Sequence, residues 1–384
     1  MDPFPAVLIG GPPHSGKSVL TYSLSQALRQ RGIEHYVVRA APDGEGDWAN
    51  EAAQELVRTL RFKGKFDPAF VNFVCQSIDQ RHLPLVVDAG GRPTPAQERI
   101  MGCCTHAILL IRDEASRTHW RSLATRYGLS VLAELTSDLH GPGSVSEERP
   151  VLRGMISGLE RGLDAAGPAF EALVERLAVL LARDAEELYR LHESRCPVEM
   201  VIHLGRLART LGLSVEGPNV KWEPRHLPMI LEYLPEATPL ALYGRGPNWL
   251  YAAVALWAAP APLVQFDPRL GWVQAVSLRM QEAQPTDPLL IQCYSTSTFL
   301  LLQISSPPTL DYSQIGTLTV PSLPGGWGVV LSGKLPLWLY TSLALTYRAA
   351  PWVAVYQPQL ERAVVVYSAV ESRVVGELLP VSLV

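Results

Sequence analysis

The stretch AVLIGGPPHSGKSVLTYSLSQALRQRG (6–32) passes from an apolar run through a glycine-rich loop into a helical pattern. The loop has the spacing GxxxxGK followed by Ser, which is typical of a phosphate-binding loop. Two glycines let backbone N–H groups turn toward phosphate oxygens, the lysine supplies positive charge for the β- and γ-phosphates, and Ser18 can bind Mg²⁺. Because strand, loop and helix follow in the required order, the stretch predicts a site for ATP with Mg²⁺. The predicted nucleotide-binding residues are Gly11, His14, Ser15, Gly16, Lys17 and Ser18. Of His14, only the backbone N–H is expected to contribute.

Four more short apolar runs alternate with helical segments: HYVVR (35–39), LPLVVDAG (83–90), HAILLIR (106–112) and SVLAEL (130–135). Such continuous apolar runs are typical of parallel strands that are covered on both faces. The sequence therefore predicts an α/β fold that begins with a doubly wound P-loop NTPase domain at 1–140. Amphipathic helical patterns then predict a helical extension or linker at 141–235.

Acidic residues follow three of the predicted strands. Asp88 ends the run LPLVVD and is the expected Walker B carboxylate, which holds Mg²⁺ through water; a loop-capping carboxylate is the alternative. Asp43, Glu45 and Asp47, in RAAPDGEGDW, either position water or accept a proton from an acceptor hydroxyl, or they form a solvated turn. Asp113 is expected to cap the helix that follows the fourth strand.

Composition limits the classes of partner. The chain has 384 residues, of which 47% are hydrophobic and 18% charged, and its net charge of −4 argues against coating of long nucleic acid. The five cysteines have no CxxC spacing, which favours reduced thiols in a cytoplasmic protein. The N-terminus has no basic segment, so no signal peptide is expected. Residues 248–266 carry no charge, but Pro260 and Pro262 favour a buried helix and strand over a membrane span.

Three arginines lie in the segment SEERPVLRGMISGLERG (146–162): Arg149, Arg153 and Arg161. An arginine from a neighbouring subunit often completes ATP hydrolysis, so this cluster is a candidate for that role. The alternative is a solvated basic face beside acidic residues.

A duplicated unit dominates the C-terminal half. GRGPNWLYAAVAL (244–256) and GKLPLWLYTSLAL (333–345) align without a gap, 89 residues apart, and each lies between two strand-like runs. A glycine–proline turn from a strand into a helix places backbone N–H groups where they can meet a phosphate. The pattern predicts tandem Rossmann-like repeats at 236–285 and 286–384, paired about a pseudo-two-fold axis around a symmetric ligand. The predicted ligand-binding residues of the two turns are Gly244, Arg245, Gly246, Pro247, Gly333 and Lys334.

The stretch GVVLSGKLPLWLYTSLALTYRAAPWVAVYQPQLERAVVVYS (328–368) resembles the CRISPR-associated ring nucleases of the Csx-three type. The resemblance covers 288–384 in full and 237–281 in part. It implies a fold related to the CRISPR-associated Rossmann fold (CARF), binding of cyclic tetra-adenylate, and its metal-dependent degradation with Mg²⁺ or Mn²⁺ by subunits assembled around the ring. Fusions of this family to an AAA-type P-loop ATPase are known, and the order of motifs here is similar to theirs.

The catalytic pattern of that family is only partly present. Its helix ends in Tyr-His-Pro and its next strand in Asp-Pro-Arg, and the His, Asp and Arg matter for cleavage. In the second repeat these positions are Arg348, Gln357 and Gln359, so this copy is expected to be catalytically silent, although Arg348 could still hold a phosphate. The first repeat keeps Asp267 and Arg269 but no histidine; these two either serve a cation and the transition state or form an ordinary tight turn.

The motifs and the resemblance together predict a type III CRISPR accessory protein that binds ATP and cyclic oligoadenylate, with ring cleavage or sensing alone left open. The predicted catalytic residues are Asp88, Asp267 and Arg269. The alternative class is a nucleotide or small-molecule kinase regulated by the cyclic messenger, and a third is a protein that only sequesters it. The expected state is a cytoplasmic homo-oligomer without a long nucleic acid or membrane partner.

Overall fold

The structure is a computed structural model that describes residues 4–41, 67–90, 93–216, 219–282, 288–307 and 309–381. The chain divides into two compact units. One comprises Met1–Arg190 with Pro268–Gly271, and the other comprises Leu191–Asp267 with Trp272–Val384. The acidic residues Asp43, Glu45 and Asp47, considered above for the nucleotide site, lie outside the described residues.

The first unit is built on a seven-stranded sheet. Its strands are β1 (Ala6–Gly10), β2 (Tyr36–Ala40), β3 (Leu85–Ala89), β4 (His106–Ile111), β5 (Ser130–Asp138), β6 (Ser144–Glu147) and β7 (Leu152–Ser157). Its helices are α1 (Lys17–Gln30), α2 (Pro68–Asp79), α3 (Pro95–Gly102), α4 (Glu114–Arg126), α5 (Pro168–Leu181) and α6 (Ala185–Glu193), the last of which ends in the second unit.

Helices cover both faces of this sheet, as predicted. The strand order is β2-β3-β1-β4-β5-β7-β6, and every neighbouring pair is parallel except β6 with β7. Val7 and Ile9 of β1 lie in one core with α1 and α5, whereas Leu8 lies in the other core with α2, α3 and α4. Asp113 caps α4 by accepting the Ser116 backbone N–H at 2.7 Å, as expected.

The predicted Walker B strand β3 lies directly beside the loop-bearing strand β1. The predicted α/β fold with a parallel sheet is confirmed, whereas the AAA-type class of the domain stays a prediction.

The predicted boundary at residue 140 is wrong, because the first sheet continues beyond it. β7 pairs with β5, β6 forms the edge, and α5 buries Leu173 and Leu177 in the same core as Leu20 and Leu24 of α1. The edge strand β6, sequence SVSE, is polar and half exposed, so it lacks the apolar run that marks a buried strand.

The second unit contains two larger sheets. Its strands are β8 (Val201–His203), β9 (Val215–Glu216), β10 (Asn219–Val220), β11 (Leu240–Tyr243), β12 (Leu263–Asp267), β13 (Gly271–Gln274), β14 (Arg279–Gln281), β15 (Leu290–Ser295), β16 (Phe299–Ser305), β17 (Thr319–Pro321), β18 (Gly328–Lys334), β19 (Trp352–Gln357), β20 (Arg362–Ser368) and β21 (Leu378–Pro380). Its helices are α7 (Leu204–Thr210), α8 (Leu227–Tyr233), α9 (Asn248–Ala258) and α10 (Leu337–Thr346), and short 3₁₀ turns cover Pro224–His226, Tyr312–Thr317 and Pro358–Leu360. The sheet orders are β13-β12-β11-β8 and β15-β16-β18-β19-β20-β21, with two small pairs, β9–β10 and β14–β17.

The two repeats have the same strand–helix–strand core. β11 and β12 are parallel with α9 between them in the chain, and β18 and β19 are parallel with α10 between them. In addition, β8 runs parallel to β11 as β16 runs parallel to β18. The first repeat therefore begins by Val201 rather than at residue 236, and the region 141–235 is not purely helical.

The uncharged stretch 248–266 forms the helix α9 and the strand β12, as predicted. α9 is buried on nearly all sides, because it contacts α10, β12 and the strands β19 and β20 of the other sheet. Its uniformly apolar sequence follows from this double packing. Within the described residues, no helix has the length and apolar character that a membrane crossing requires.

Candidate functional site

The glycine-rich loop lies at the carboxyl end of β1 and leads directly into α1. Gly16 has a φ of 84°, in the left-handed region, and is the N-cap of α1. A Cβ at Gly11 would lie 2.8 Å from the carbonyl oxygen of Leu110, and one at Gly16 would lie 2.5 Å from the Leu159 side chain. Neither position has room for a side chain, which explains why the loop has glycine at both. The N–H groups of the helix start, at the end of this loop, are the groups that can bind an anion.

Lys17, the first residue of α1, is buried inside the loop. Its ammonium group donates hydrogen bonds to the carbonyl oxygens of Gly11 at 3.0 Å and Pro12 at 2.7 Å. Burial lowers the pKa of Lys17 to about 8, and the negative charge of Asp88 opposes that shift. The ammonium is thus held by neutral carbonyls that phosphate oxygens can replace.

The lowered pKa of Lys17 makes nucleotide affinity depend on pH. A bound phosphate stabilises the ammonium form, so ATP affinity should be constant below pH 8 and fall above it, by up to about tenfold for each pH unit. The arginine of Lys17→Arg stays charged over the whole pH range, so the ATP affinity of this variant should not change with pH. Titration of a fluorescent ATP analogue from about pH 6.5 to about pH 9.5 measures both proteins. Equal slopes would contradict the assignment of Lys17 to the phosphates.

Ser18 and Asp88, the two predicted Mg²⁺ residues, are brought together around one arginine. Asp88 is buried near the end of β3, level with Ile9 of β1 and with Arg39 of β2. The Arg39 guanidinium lies 3.2 Å from the Asp88 carboxylate and donates a long hydrogen bond of 3.5 Å to the Ser18 hydroxyl. Three side chains from β2, β3 and α1 therefore meet beside the loop.

The donor atoms at this point fit Mg²⁺. Ser18 and Asp88 offer a hydroxyl and a carboxylate oxygen, and Mg²⁺ is commonly held by one or two protein oxygens together with substrate phosphates. Within the described ranges, no group of three or more His, Cys, Asp or Glu side chains is arranged to hold a metal ion.

The remaining two loop residues differ in their roles. The Ser15 side chain is buried and its hydroxyl donates to the Pro12 carbonyl oxygen at 2.9 Å, so it braces the loop. The His14 side chain is exposed, with a φ of 58°, and its role as a backbone donor stays a prediction.

The two strand-to-helix corners of the second unit share one internal hydrogen bond. The hydroxyl of Tyr251 in α9 donates to the Gly244 carbonyl oxygen at 2.6 Å, and the hydroxyl of Tyr340 in α10 donates to the Gly333 carbonyl oxygen. Burial raises the pKa of both tyrosines, so both hydroxyls stay protonated donors at neutral pH. The sequence repeat contained both tyrosines, but their role becomes clear only from this bond.

The two corners also approach each other. The side-chain amide of Asn248, the first residue of α9, lies near the Tyr340 hydroxyl that holds the Gly333 corner, where it opposes the effect of burial on the Tyr340 pKa. Deeper in the same interface, the Thr341 hydroxyl donates to the Gln265 side chain at 2.9 Å. Both residues of this second pair are buried, so the α10 side of one repeat is fixed against the β12 strand of the other.

The predicted ligand cations occupy matching positions at the corners. Arg245 and Lys334 are both exposed, one residue after their glycines. Arg348 is also exposed, but it follows the C-terminal end of α10, a ten-residue helix about 15 Å long. The prediction that Arg348 joins Lys334 in one ligand site is therefore wrong, because the chain has crossed the sheet from its carboxyl edge to its amino edge.

Asp267 and Arg269 fall into different units. Asp267 is the last residue of β12 and is buried. Burial of Tyr251 raises its pKa, and the negative charge of Asp267 raises it further. Arg269 belongs to the segment that groups with the first unit, where its guanidinium carbon lies 5.8 Å from the centre of the Tyr36 ring. The corner of the first repeat therefore has the predicted carboxylate, whereas the predicted arginine has an aromatic partner of its own.

The arginines considered for a neighbouring nucleotide site have other contacts. Arg153 pairs with Glu147 and lies 3.6 Å from the buried carboxylate of Glu134. Arg149 lines a shallow surface groove with Arg176, while Arg161 is exposed. For Arg153 the structural role, neutralising buried charge on β5, is the one supported.

Comparison with known proteins gives one family and two structural likenesses. Residues 303–380 match the family described as CRISPR-associated protein (Cas_csx3). At 15% identity, molybdopterin-guanine biosynthesis protein B (MobB) matches with a TM-score of 0.25, covering 46% of this chain and 99% of MobB. Cell division protein FtsY of Thermotoga maritima also matches at 15% identity, with a TM-score of 0.26, covering 47% of this chain and 69% of FtsY. Such low scores support no argument about function. The second repeat is thus similar to a CRISPR-associated Csx3 domain, and a phosphate-binding loop on a parallel α/β sheet precedes it in the chain.

Proposed function

We propose that the chain is a type III CRISPR accessory protein that binds cyclic tetra-adenylate at the paired corners of its second unit and ATP with Mg²⁺ at its phosphate-binding loop. The observation that carries the proposal is the pair of matching corners, in which the Tyr251 hydroxyl holds Gly244 and the Tyr340 hydroxyl holds Gly333. Two corners that offer helix-start N–H groups and a cation each suit a ligand with repeated phosphates. The similarity of 303–380 to the Csx3 family supports the same ligand. We also propose that the protein is a cytoplasmic homo-oligomer and that neither a membrane nor a long nucleic acid is its partner.

At the nucleotide site, Lys17 and the first N–H groups of α1 bind the β- and γ-phosphates. Ser18 and Asp88 would hold Mg²⁺, which offsets negative charge on the phosphates when it is bound. Hydrolysis forms a bond from water to the γ-phosphorus and breaks the bond to the bridging oxygen. The loop supplies the positioning that this transfer needs, and the buried Lys17 supplies the positive charge.

At the paired corners, the ring can be opened without a protein base. A ribose 2′-oxygen held in line with its own phosphate forms a bond to phosphorus while the bond to the 5′-oxygen breaks. The hydroxyl proton passes to water, and the leaving 5′-oxygen takes a proton from water. Asp267 is the nearby carboxylate that could assist, whereas Gln357 and Gln359 of the second repeat cannot accept a proton. Cleavage is therefore expected to be slow and to depend on the first repeat.

The deciding experiment is incubation of the full chain with cyclic tetra-adenylate and Mg²⁺ or Mn²⁺, with and without ATP, followed by chromatography. Linear products ending in a 2′,3′-cyclic phosphate would establish cleavage. Intact ring with tight binding would establish a sensor, for which the buried setting of Asp267 is the supporting observation. Transfer of the γ-phosphate to an added acceptor, rather than to water, would instead favour a kinase regulated by the messenger.

Removing the two corner cations should weaken ring binding. Each exposed cation contributes about 1 kcal/mol to a phosphate contact, so Arg245→Ala with Lys334→Ala should raise the Kd about 10- to 100-fold at low salt and less at high salt. Arg348→Ala is the matched control, because it removes an exposed cation at the other end of α10. Binding of labelled cyclic tetra-adenylate gives the Kd of the wild type, of the double variant and of Arg348→Ala. An unchanged Kd in the double variant would place the ligand elsewhere.

A further inference from the structure

We propose that Arg39 is an internal counter-cation of the proposed magnesium site: it pairs with Asp88 and Ser18 and must leave them when Mg²⁺ enters with the nucleotide. The inference rests on the proposed nucleotide site but goes beyond it. Arg39 then acts as a positioning residue that sets the Mg²⁺ concentration required for nucleotide binding.

The placement of Arg39 follows from strand register. β2 and β3 are parallel neighbours, and Arg39 lies level with Asp88 near their carboxyl ends. The guanidinium and the carboxylate are 3.2 Å apart, with side-chain exposures of 20% and 4%. A carboxylate buried to this degree requires a positive partner, and in the described structure the guanidinium provides one.

The same guanidinium reaches the other predicted magnesium ligand. Its second terminal nitrogen lies 3.5 Å from the Ser18 hydroxyl. Mg²⁺ held by Ser18, and through water by Asp88, would need the oxygens of both residues, so the hydrated ion and the guanidinium would compete for the same two acceptors. They would also repel each other if both lay beside the same oxygens, because both are positive. Entry of the metal therefore requires displacement of Arg39.

The displaced group stays at the phosphate-binding edge of the sheet. Arg39 is anchored on β2 at the carboxyl edge, where the ligands of open parallel sheets lie, and a released guanidinium binds phosphate oxygens well. Arg39 therefore weakens the metal-binding site while the nucleotide is absent and adds to phosphate binding once the metal is present. Removal of its charge should separate these two effects.

The test is a Mg²⁺ titration of nucleotide binding by the full chain, followed with a fluorescent ATP analogue at a fixed low concentration. Arg39→Gln should lower the Mg²⁺ concentration at half-saturation about five- to tenfold, while weakening binding at saturating Mg²⁺ about fivefold. Arg39→Lys keeps a charge and should stay within about twofold of the wild type. Arg112→Gln removes an exposed arginine after β4, at the same sheet edge, and should change neither quantity.

An unchanged or raised Mg²⁺ midpoint in Arg39→Gln would overturn the proposal. Circular dichroism checks that each variant folds. If the glutamine variant does not fold, the lysine variant still decides, because a midpoint lowered tenfold despite a retained charge would also overturn it. A wild-type protein that binds no nucleotide at any Mg²⁺ concentration would instead remove the proposed nucleotide site, so the two failures are distinguishable.

Discussion

Lys17→Ala should reduce affinity for ATP with Mg²⁺ at least about 100-fold and abolish ATP turnover. The ammonium group is the one cation buried within the described part of the loop, where it already has two hydrogen bonds that phosphates would replace. Charged hydrogen bonds contribute about 1.5–3 kcal/mol each, so two of them account for the expected loss. Calorimetric titration and phosphate release measure the two quantities.

The control for this variant is Arg31→Ala. Arg31 follows the other end of α1 and forms a surface ion pair of 2.8 Å with Glu175, so its loss should leave ATP affinity within about twofold. Retained affinity in Lys17→Ala, with an intact fold, would show that the loop does not bind the nucleotide. Binding of cyclic tetra-adenylate should persist in this variant, because its proposed site is in the other unit.

Gly333→Ala should be far more damaging than Gly244→Ala, although the two glycines are equivalent in the repeat. A Cβ at Gly333 would lie 1.9 Å from the Ile304 carbonyl oxygen, on the neighbouring strand β16, and φ is 145°. Backbone cannot yield as a flexible side chain does, so β16 and β18 would have to separate. The expected loss is about 3 kcal/mol or more in the free energy of unfolding of the second unit, together with loss of ring binding.

Gly244→Ala meets no such obstacle. The nearest atom to its Cβ would be Leu204 Cβ at 3.6 Å, an ordinary contact, so only the strain of a φ of 111° remains, about 1–2 kcal/mol. Urea unfolding of both variants, followed by near-ultraviolet circular dichroism, gives the comparison. Equal destabilisation would mean that the close approach of β16 to the Gly333 corner does not limit this fold.

Local patterns predicted the parts of the fold that local physics determines. The loop before Lys17, the helix cap at Asp113 and the strand–helix–strand order of both repeats each depend on neighbouring residues, and the structure contains them. The sequence patterns did not predict the edge strand β6 of the first unit, or the strand β8 that pairs with β11 in the first repeat. Both are short and polar or half exposed, so their membership of a sheet depends on partners far along the chain.

The errors at the candidate sites have the same origin. Arg39 carries no motif, and its importance arises because strand register places it level with Asp88. Arg348 was grouped with Lys334 because a family motif joins them, but α10 carries the chain to the far edge of the sheet between them. Arg269 lies two residues beyond Asp267 and yet belongs to another unit. Sequence spacing does not report on which edge or unit receives a side chain.

The packing of α9 has a consequence for how this duplicated half could evolve. This helix packs against strands of the other repeat. A chain with only one of the two copies would therefore expose a large apolar surface. The second repeat therefore stabilises the first whether or not it has a reaction of its own, and deletion of either copy should destabilise the other.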